Sequence, residues 1–265
     1  MLFCKKRTPH KAERLYGIIG RPLVHSYSKQ FFHEKFQDVR EVAYENFELK
    51  DITELPALIA AHPNLCGLNV TIPYKQQVMA YLDEIDENAQ AIGAVNVVKI
   101  TRDANGRPHL KGFNTDFYGF MTALRPMIDE RHKKALVLGT GGASKAVLHA
   151  LDQLGIAHQY VSRTPGGDCI GYDALTPEVM AQHTVLINTT PVGTFPKVKE
   201  CPPIPYEHIT PDHVVFDLIY NPIRTLFLNQ AELKGASIKN GWEMFVYQAL
   251  KTYEIWEGVI LTHQF

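Results

Sequence analysis

The sequence predicts an α/β fold in two domains, and three observations predict it. After about Asp116, strand-like and helix-like apolar stretches alternate, whereas before it the order is mixed and contains a hairpin. The apolar strand Leu136-Val137-Leu138 runs straight into Gly139-Thr140-Gly141-Gly142-Ala143-Ser144 and then a helix. The chain has 265 residues, 45% hydrophobic and 21% charged, a core-forming composition with enough length for two ordinary domains or one large one.

The elements follow in order. Residues 14–20 read as a short buried strand, closed by Gly20-Arg21-Pro22. Residues 28–39 carry Phe32, Phe36 and Val39 at helical spacing. Residues 42–49 read as a strand, 54–61 as a short helix and 65–72 as a strand. Residues 76–92 place Val78, Leu82, Ile85, Ala89 and Ile92 on one face, which predicts a single amphipathic helix. Strands at 95–101 and 109–114 flank Asn105-Gly106, a hairpin turn signal. A helix is expected over 117–124. Beyond it, strands at 135–139, 158–162, 184–188, 214–219 and 236–239 alternate with helices at 143–154, 178–183 and 225–234. This is βαβ repetition, which builds a parallel sheet with helices on both faces. Residues 194–205 are proline-rich and read as a surface loop, and a last amphipathic helix spans about 243–256.

Bulk composition excludes several classes of function. Lys+Arg is 27 against 28 Asp+Glu, so no basic face argues for nucleic acid and no polybasic patch for a membrane surface. No apolar run approaches the roughly 20 residues of a membrane span. Residues 1–13 read as a frayed extension: the charges follow a short apolar start, the reverse of a secretory signal, so the default expectation is a cytoplasmic address. Cys4, Cys66, Cys169 and Cys201 are dispersed and the histidines are scattered, so neither a disulfide framework nor a metal site is expected.

In the glycine turn each small residue has a task. Gly139 permits the tight turn, and Gly141 lets the backbone approach a pyrophosphate. Ser144 takes the place where a small residue lets helix pack on strand, while Gly142 and Ala143 keep the turn slim. The N–H groups opening the helix then face phosphate. A glycine-rich turn can also occur with no ligand; the succession strand, turn, helix, strand favours the nucleotide. The next strand ends Ser162-Arg163-Thr164. An NAD site would place an acid there, and an arginine beside hydroxyls suits a 2′-phosphate instead, so the cofactor expected is NADP.

Polar residues cluster elsewhere too. Ser26 and Ser28 precede a helix, where Ser28 could simply be the cap. Asn69, Thr71 and Lys75 close a strand. Asp116 opens a helix and could likewise be only a cap.

Taken in order, these residues are similar to the shikimate dehydrogenase family. The matching stretches are His25-Ser26-x-Ser28, Asn69-Val70-Thr71-Ile72-Pro73-Tyr74-Lys75, Gly93-Ala94-Val95-Asn96, Asn114-Thr115-Asp116, the glycine turn, Asn188-Thr189-Thr190-Pro191-Val192-Gly193, Asp217-Leu218-Ile219-Tyr220-Asn221-Pro222 and Gln248-Ala249. The ordered set covers about residues 16–256 and is far more specific than any one motif. The resemblance implies an N-terminal α/β substrate-binding domain, 14–115, completed by 241–265 as a C-terminal helix returns to it. It also implies a Rossmann-type NADP-binding domain at 116–240, with the reaction in the cleft between the two.

The resemblance further implies roles. Lys75 and Asp116 form the catalytic pair, the lysine giving and taking the proton at the reacting oxygen and the aspartate holding and polarising it. Ser26 and Ser28 bind the substrate carboxylate, and Thr71, Asn96, Tyr220 and Gln248 complete the pocket. Gly139, Thr140, Gly141, Gly142, Ala143 and Ser144 hold the pyrophosphate, and Ser162, Arg163 and Thr164 face the adenosine phosphate. Thr189, Val192, Leu218, Gly241 and Met244 lie near the ribose and nicotinamide, and Glu87 matches a position near the cleft. The implied activity is reversible NADPH-linked reduction of 3-dehydroshikimate to shikimate on the route to chorismate and aromatic amino acids. The expected partner is that small molecule, with no nucleic acid and no membrane, in a monomer or homodimer. Ser162, Thr194, Phe113 and Val97 depart from the family's usual residues, and none of them removes a catalytic group. A quinate/shikimate dehydrogenase of the same superfamily and a non-catalytic dinucleotide sensor are the rival readings.

Overall fold

A computed structural model describes residues 13–23, 27–36 and 41–261. The chain divides into two compact units. Of the described residues, those within 13–90, 94–113 and 254–261 form the first, and those within 91–93 and 114–253 the second. Both are α/β, and the described residues of each contain a six-stranded sheet. No helix among the described residues is long and apolar enough to cross a membrane.

In the first unit the elements are β1 (Arg14–Gly20), α1 (Tyr27–Phe36), β2 (Val42–Glu48), α2 (Leu55–Ala61), β3 (Leu65–Val70), β4 (Glu84–Ile85), α3 (Glu87–Ile92), β5 (Val97–Arg102) and β6 (Pro108–Phe113). The sheet order is β2-β1-β3-β5-β6-β4. Strands β1, β2 and β3 are mutually parallel, while β5 runs antiparallel to β3 and β6. β1 is buried along nearly its whole length, as a parallel strand covered on both faces must be. The 105–106 turn forms as expected, with Gly106 at φ +79°, a value that glycine adopts without strain.

The single helix expected over 76–92 is not formed. A 3₁₀ turn at Gln77–Tyr81 is followed by the short strand β4 and then by α3. The cause is the open edge of β6. Asp83 N donates to Leu110 O and Asp86 N to Gly112 O, both at 2.9 Å, so the backbone at 83–86 pairs with that strand rather than with its own helix. Asp86 then accepts from Asn88 N at 3.0 Å and starts α3. Val78 and Ala89 are buried all the same, so their helical spacing reports the core and not the local conformation.

Aromatic rings pack on the sheet of the first unit over the laterally paired Tyr16, Tyr44 and Gly67. Trp256 stacks on Tyr16 at 4.6 Å between centroids and lies 5.2 Å from Phe32, and its Nε1 donates to Val98 O at 3.1 Å. A Cβ on Gly67 would stand 2.3 Å from Trp256 Nε1, so the indole uses the space that glycine leaves. Trp256→Ala is expected to cost about 3–5 kcal/mol, read as a lower urea midpoint at unchanged m-value.

The second unit contains α4 (Asp116–Leu124), β7 (Lys134–Leu138), α5 (Gly142–Gln153), β8 (Ala157–Val161), β9 (Cys169–Ile170), α6 (Pro177–Gln182), β10 (Val185–Asn188), β11 (Val214–Asp217), α7 (Leu226–Glu232), β12 (Ser237–Lys239) and α8 (Trp242–Glu257). Its sheet is parallel throughout, ordered β12-β11-β10-β7-β8-β9. Counted from β7, this is the doubly wound order 3-2-1-4-5-6. β9 is a two-residue strand that sequence pattern does not announce. The expected strand at 214–219 stops at Asp217: Leu218 N makes the last ladder bond, to Asn188 O, and Ile219 N turns to the Asp217 carboxylate. Helix α8 is divided between the units: residues up to 253 belong to the second and 254 onward to the first.

Candidate functional site

In the first unit, the polar residues gather at one end of the sheet. Parallel strands β1 and β3 both end there, and β5 begins there. Thr71 follows β3, and its N donates to Ile19 O at 3.0 Å. A Cβ on Gly20 would meet Thr71 Cγ2 at 2.3 Å, so the end of β1 makes room for that threonine. Lys75 is half-buried and its carbonyl accepts from Val95 N at 2.8 Å. Asn96 is buried, bonded through its backbone to Phe113 O and Val70 N.

Ser28, near the start of α1, belongs to the same end. It shares a hydrogen bond with the buried Tyr44 phenol, which in turn donates to Asn69 Oδ1 at 2.8 Å. Burial holds the Tyr44 phenol well above its ordinary pKa, with the Ser28 bond acting in the opposite direction. With the phenol proton given to Asn69, the phenol oxygen is the acceptor toward Ser28. Sequence pattern passes over Tyr44, since it reads as one more aromatic on a strand. Ser26 lies outside the described residues, as does His25.

In the second unit, Gly139 leaves β7 at φ +100°, and a Cβ there would stand 2.6 Å from Thr190 Cγ2. Gly141 and Gly142 are exposed, with no neighbouring atom within 4 Å of where their Cβ would be. Gly141 is the N-cap of α5 and offers no side-chain hydrogen bond to the helix start. Backbone donors at that start therefore look for an outside partner. A slim turn, open glycines and an uncapped helix start fit a dinucleotide pyrophosphate.

Thr140 is exposed and Ala143 half-buried beside them. Ser144 is turned inward: it is fully buried, donates to Gly141 O at 2.6 Å and lies 3.0 Å from the Tyr160 hydroxyl. Its side chain locks α5 onto β8.

At the end of β8, Ser162 Oγ accepts from Thr164 N at 3.2 Å, while Arg163 and Thr164 are exposed. Burial raises the Tyr172 phenol and the positive charge of Arg163 lowers it, so the guanidinium stands near that ring. Tyr172 is a neighbour that sequence reasoning missed.

β7 and β10 are adjacent, but the chain leaves them toward opposite sides of the sheet. That is the switch point, where open α/β sheets place ligands. Thr189 stitches the two strand ends together: its N donates to Leu138 O at 2.9 Å and its hydroxyl lies 2.8 Å from the same oxygen. Val192 and Leu218 are half-buried on the loops after β10 and β11. Gly241 N donates to Ile219 O, and a Cβ there would fall 2.0 Å from Leu218 O. Met244 and Gln248 are buried on α8. Gln248 Nε2 donates to Phe245 O at 3.0 Å, and Gln248 Oε1 is 3.4 Å from Thr115 Oγ1. Tyr220 lies 5.5 Å from the Phe245 ring and 6.0 Å from Trp242.

Asp116 opens α4, yet the capping bonds come from Asn114, whose Oδ1 accepts from Asp116 N at 3.0 Å and Phe117 N at 3.4 Å. The structure gathers Ser28, Thr71, Lys75 and Asn96 at one sheet end of the first unit. In the second it gathers the glycine turn, Thr189, Val192 and Leu218 at the switch point, and Asp116 stands at the start of a helix whose preceding residue, Thr115, contacts Gln248.

Residues 18–98 match the family model described as the shikimate dehydrogenase substrate binding domain. The chain is 37% identical to shikimate dehydrogenase (NADP(+)) of Methanococcus aeolicus, over 93% of this chain and 92% of that protein. It is 40% identical to the Clostridium beijerinckii protein of the same name, over 91% of each. A crystal structure of shikimate 5-dehydrogenase from Thermus thermophilus, in complex with NADP(H) and shikimate, superposes with a TM-score of 0.79 at 30% identity, covering 93% of this chain and 94% of that one. With identity of this order sustained along nearly the whole length, the chain belongs to the shikimate dehydrogenase family.

Proposed function

We propose that this protein is an NADP-dependent shikimate dehydrogenase, an oxidoreductase that reversibly reduces 3-dehydroshikimate to shikimate on the route to chorismate and the aromatic amino acids. The observation that carries the reading is the open glycine turn at the switch point of a doubly wound sheet in a member of this family. When bound, NADPH supplies the hydride. The protein's residues manage the charge and the proton: as the ketone oxygen becomes an alkoxide, the Lys75 ammonium stabilises it and then protonates it, with Asp116 holding and polarising the lysine. Ser26 and Ser28 take the substrate carboxylate. Thr71, Asn96, Tyr220 and Gln248 bond the ring hydroxyls and carboxylate, since a polyhydroxylated ring is selected by fixed donors and acceptors.

Residues 139–144 carry the pyrophosphate, with Ser144 serving by closing α5 on β8. Ser162, Arg163 and Thr164 take the 2′-phosphate side, and Thr189, Val192, Leu218, Gly241 and Met244 the nicotinamide side. Residues 14–115 with 241–265 act as the substrate domain and 116–240 as the cofactor domain. The partner is the small-molecule substrate, without nucleic acid or membrane. The protein works in the cytoplasm, as a monomer or homodimer, an address that suits an NADPH-consuming biosynthetic step.

The test is reduced-cofactor formation with shikimate or quinate, each with NADP or NAD. Fast turnover only with shikimate and NADP supports the reading; preference for quinate or NAD moves the protein to the sister activity. Binding of NADPH with no turnover in any combination overturns the enzyme reading in favour of a sensor. Arg163→Ala is expected to raise the Kd for NADPH about tenfold or more, as for a charge-assisted bond of about 1.5–3 kcal/mol. The Kd for NADH should change little. Equal weakening of both cofactors in a fluorescence titration would show that Arg163 does not read the 2′-phosphate.

A further inference from the structure

A carboxylate with no access to solvent joins the two loops that leave β10 and β11. Asp217, the last residue of β11, is 0% exposed. Its Oδ1 accepts from Ile219 N at 3.1 Å and from Asn188 Nδ2 at 3.0 Å, and its Oδ2 accepts from Thr225 Oγ1 at 2.6 Å. The Thr225 oxygen also accepts from Leu228 N at 3.3 Å and so caps α7.

Asn188, the last residue of β10, continues the network. Its Oδ1 accepts from Thr190 N at 3.0 Å and Thr190 Oγ1 at 2.6 Å, and its Nδ2 lies 3.4 Å from Val192 O. Thr190 Oγ1 accepts in turn from Val192 N at 3.2 Å. One chain of bonds therefore runs from the first turn of α7, through Asp217 and Asn188, to the turn at 188–193. The same carboxylate orients Ile219, whose carbonyl receives Gly241 N at 3.1 Å.

Burial pushes the Asp217 carboxyl up to about 6, while Thr225, Ile219 and Asn188 act to lower it; three donors directed at its two oxygens are the pattern that suits a carboxylate. A buried charge is a costly way to fill a core, and apolar residues of similar volume are often as stabilising or more so. What a charge offers beyond packing is direction, because its acceptors fix where each donor must lie. Asn188, Asp217 and Thr225 are all fully buried, so none of them is placed to touch a ligand. The residues they hold are the half-buried Thr189, Val192 and Leu218.

We propose that Asp217 is a positioning residue for cofactor binding, which holds the 188–193 turn and the 218–219 segment in the one register that presents Thr189, Val192 and Leu218 to the nicotinamide half of the dinucleotide. This rests on the reading of those three residues as cofactor contacts.

The test compares Asp217→Asn and Thr225→Val with Leu186→Ala, a core truncation within β10 that leaves the network intact, using NADPH titration, shikimate KM and thermal unfolding. Asp217→Asn is expected to raise the Kd for NADPH about tenfold and the KM for shikimate by less, and Thr225→Val to move Kd in the same direction by about threefold. Leu186→Ala should lose as much thermal stability yet keep Kd within about twofold of wild type. If Asp217→Asn does not fold, Thr225→Val decides. A Kd near that of wild type in the network variants, or an equal loss in Leu186→Ala, overturns the positioning role while leaving the cofactor reading intact. Absence of NADPH binding by the wild-type protein overturns the cofactor reading, and the proposal with it.

Discussion

Lys75→Ala should lower kcat about 10²–10⁴-fold, the range for removing a positioned proton donor, while the Kd for NADPH stays near wild type. The split follows from the architecture. Lys75 sits in the first unit, at the sheet end shared by Thr71 and Asn96, whereas the glycine turn and Thr189 sit in the second unit. Truncating the lysine takes away the cation that would stabilise the developing alkoxide and its proton, and nothing in the nucleotide cradle. Single-turnover reduction at saturating NADPH is the measurement to use, because it isolates chemistry from product release. Near-normal turnover would sink the assignment of Lys75. Weakened NADPH binding with an unchanged chemical step would show that the residue serves binding instead. Lys75→Arg keeps the charge but not the shape or the readily shared proton, so only a small part of the rate should return.

Gly241→Ala should cause the largest loss from a single added methyl group. The new Cβ would stand 2.0 Å from Leu218 O, a backbone atom that no side-chain rotation can move. Either the 218–219 segment or the start of α8 must shift. Overpacking of this kind costs about 1–3 kcal/mol, and occasionally more. Because Leu218 and Met244 flank the clash, we expect a fall in Tm together with a severalfold weaker Kd for NADPH. Calorimetry with and without NADPH measures both, since ligand stabilisation shrinks as Kd rises. A fall in Tm with an unchanged increment from NADPH would confine the effect to packing and clear Gly241 of any part in the cofactor site. No change in Tm would mean that the backbone yields easily there.

The glycine turn is legible in the sequence because its physics is local. A strand, a tight turn needing φ > 0 at Gly139 and a helix start lie within about a dozen residues, and each leaves a residue-type signature. The parallel sheet of the second unit is legible for a similar reason, since alternating periodicities are local and the right-handed crossover does the rest. Arg163 is readable as a position, at the end of the second strand, but its neighbour Tyr172 is not, because it comes from a later segment.

The failed expectation over 76–92 shows the limit from the other side. Val78, Leu82, Ile85, Ala89 and Ile92 have helical spacing, but the unsatisfied edge of β6 offers the backbone at 83–86 hydrogen bonds that no window of local sequence contains. At the start of α4 the sequence offers Asp116 as a residue type that suits a cap, and only the structure shows that Asn114 Oδ1 accepts from the N–H groups of Asp116 and Phe117.

By itself, then, the sequence determined the α/β class, the glycine turn between β7 and α5, the arginine at the end of β8 and the ordered motifs that mark the family. All of these depend on residues close together in the chain or on their order. The tertiary structure alone decided which polar groups are joined: Tyr44 between Ser28 and Asn69, and Asp217 between Asn188 and Thr225. Asn69 lies 25 residues from Tyr44 and Asn188 lies 29 from Asp217. A hydrogen bond requires approach to about 3 Å at a defined angle, and across such separations that approach is set by how strands pair and sheets pack, not by any pattern along the chain.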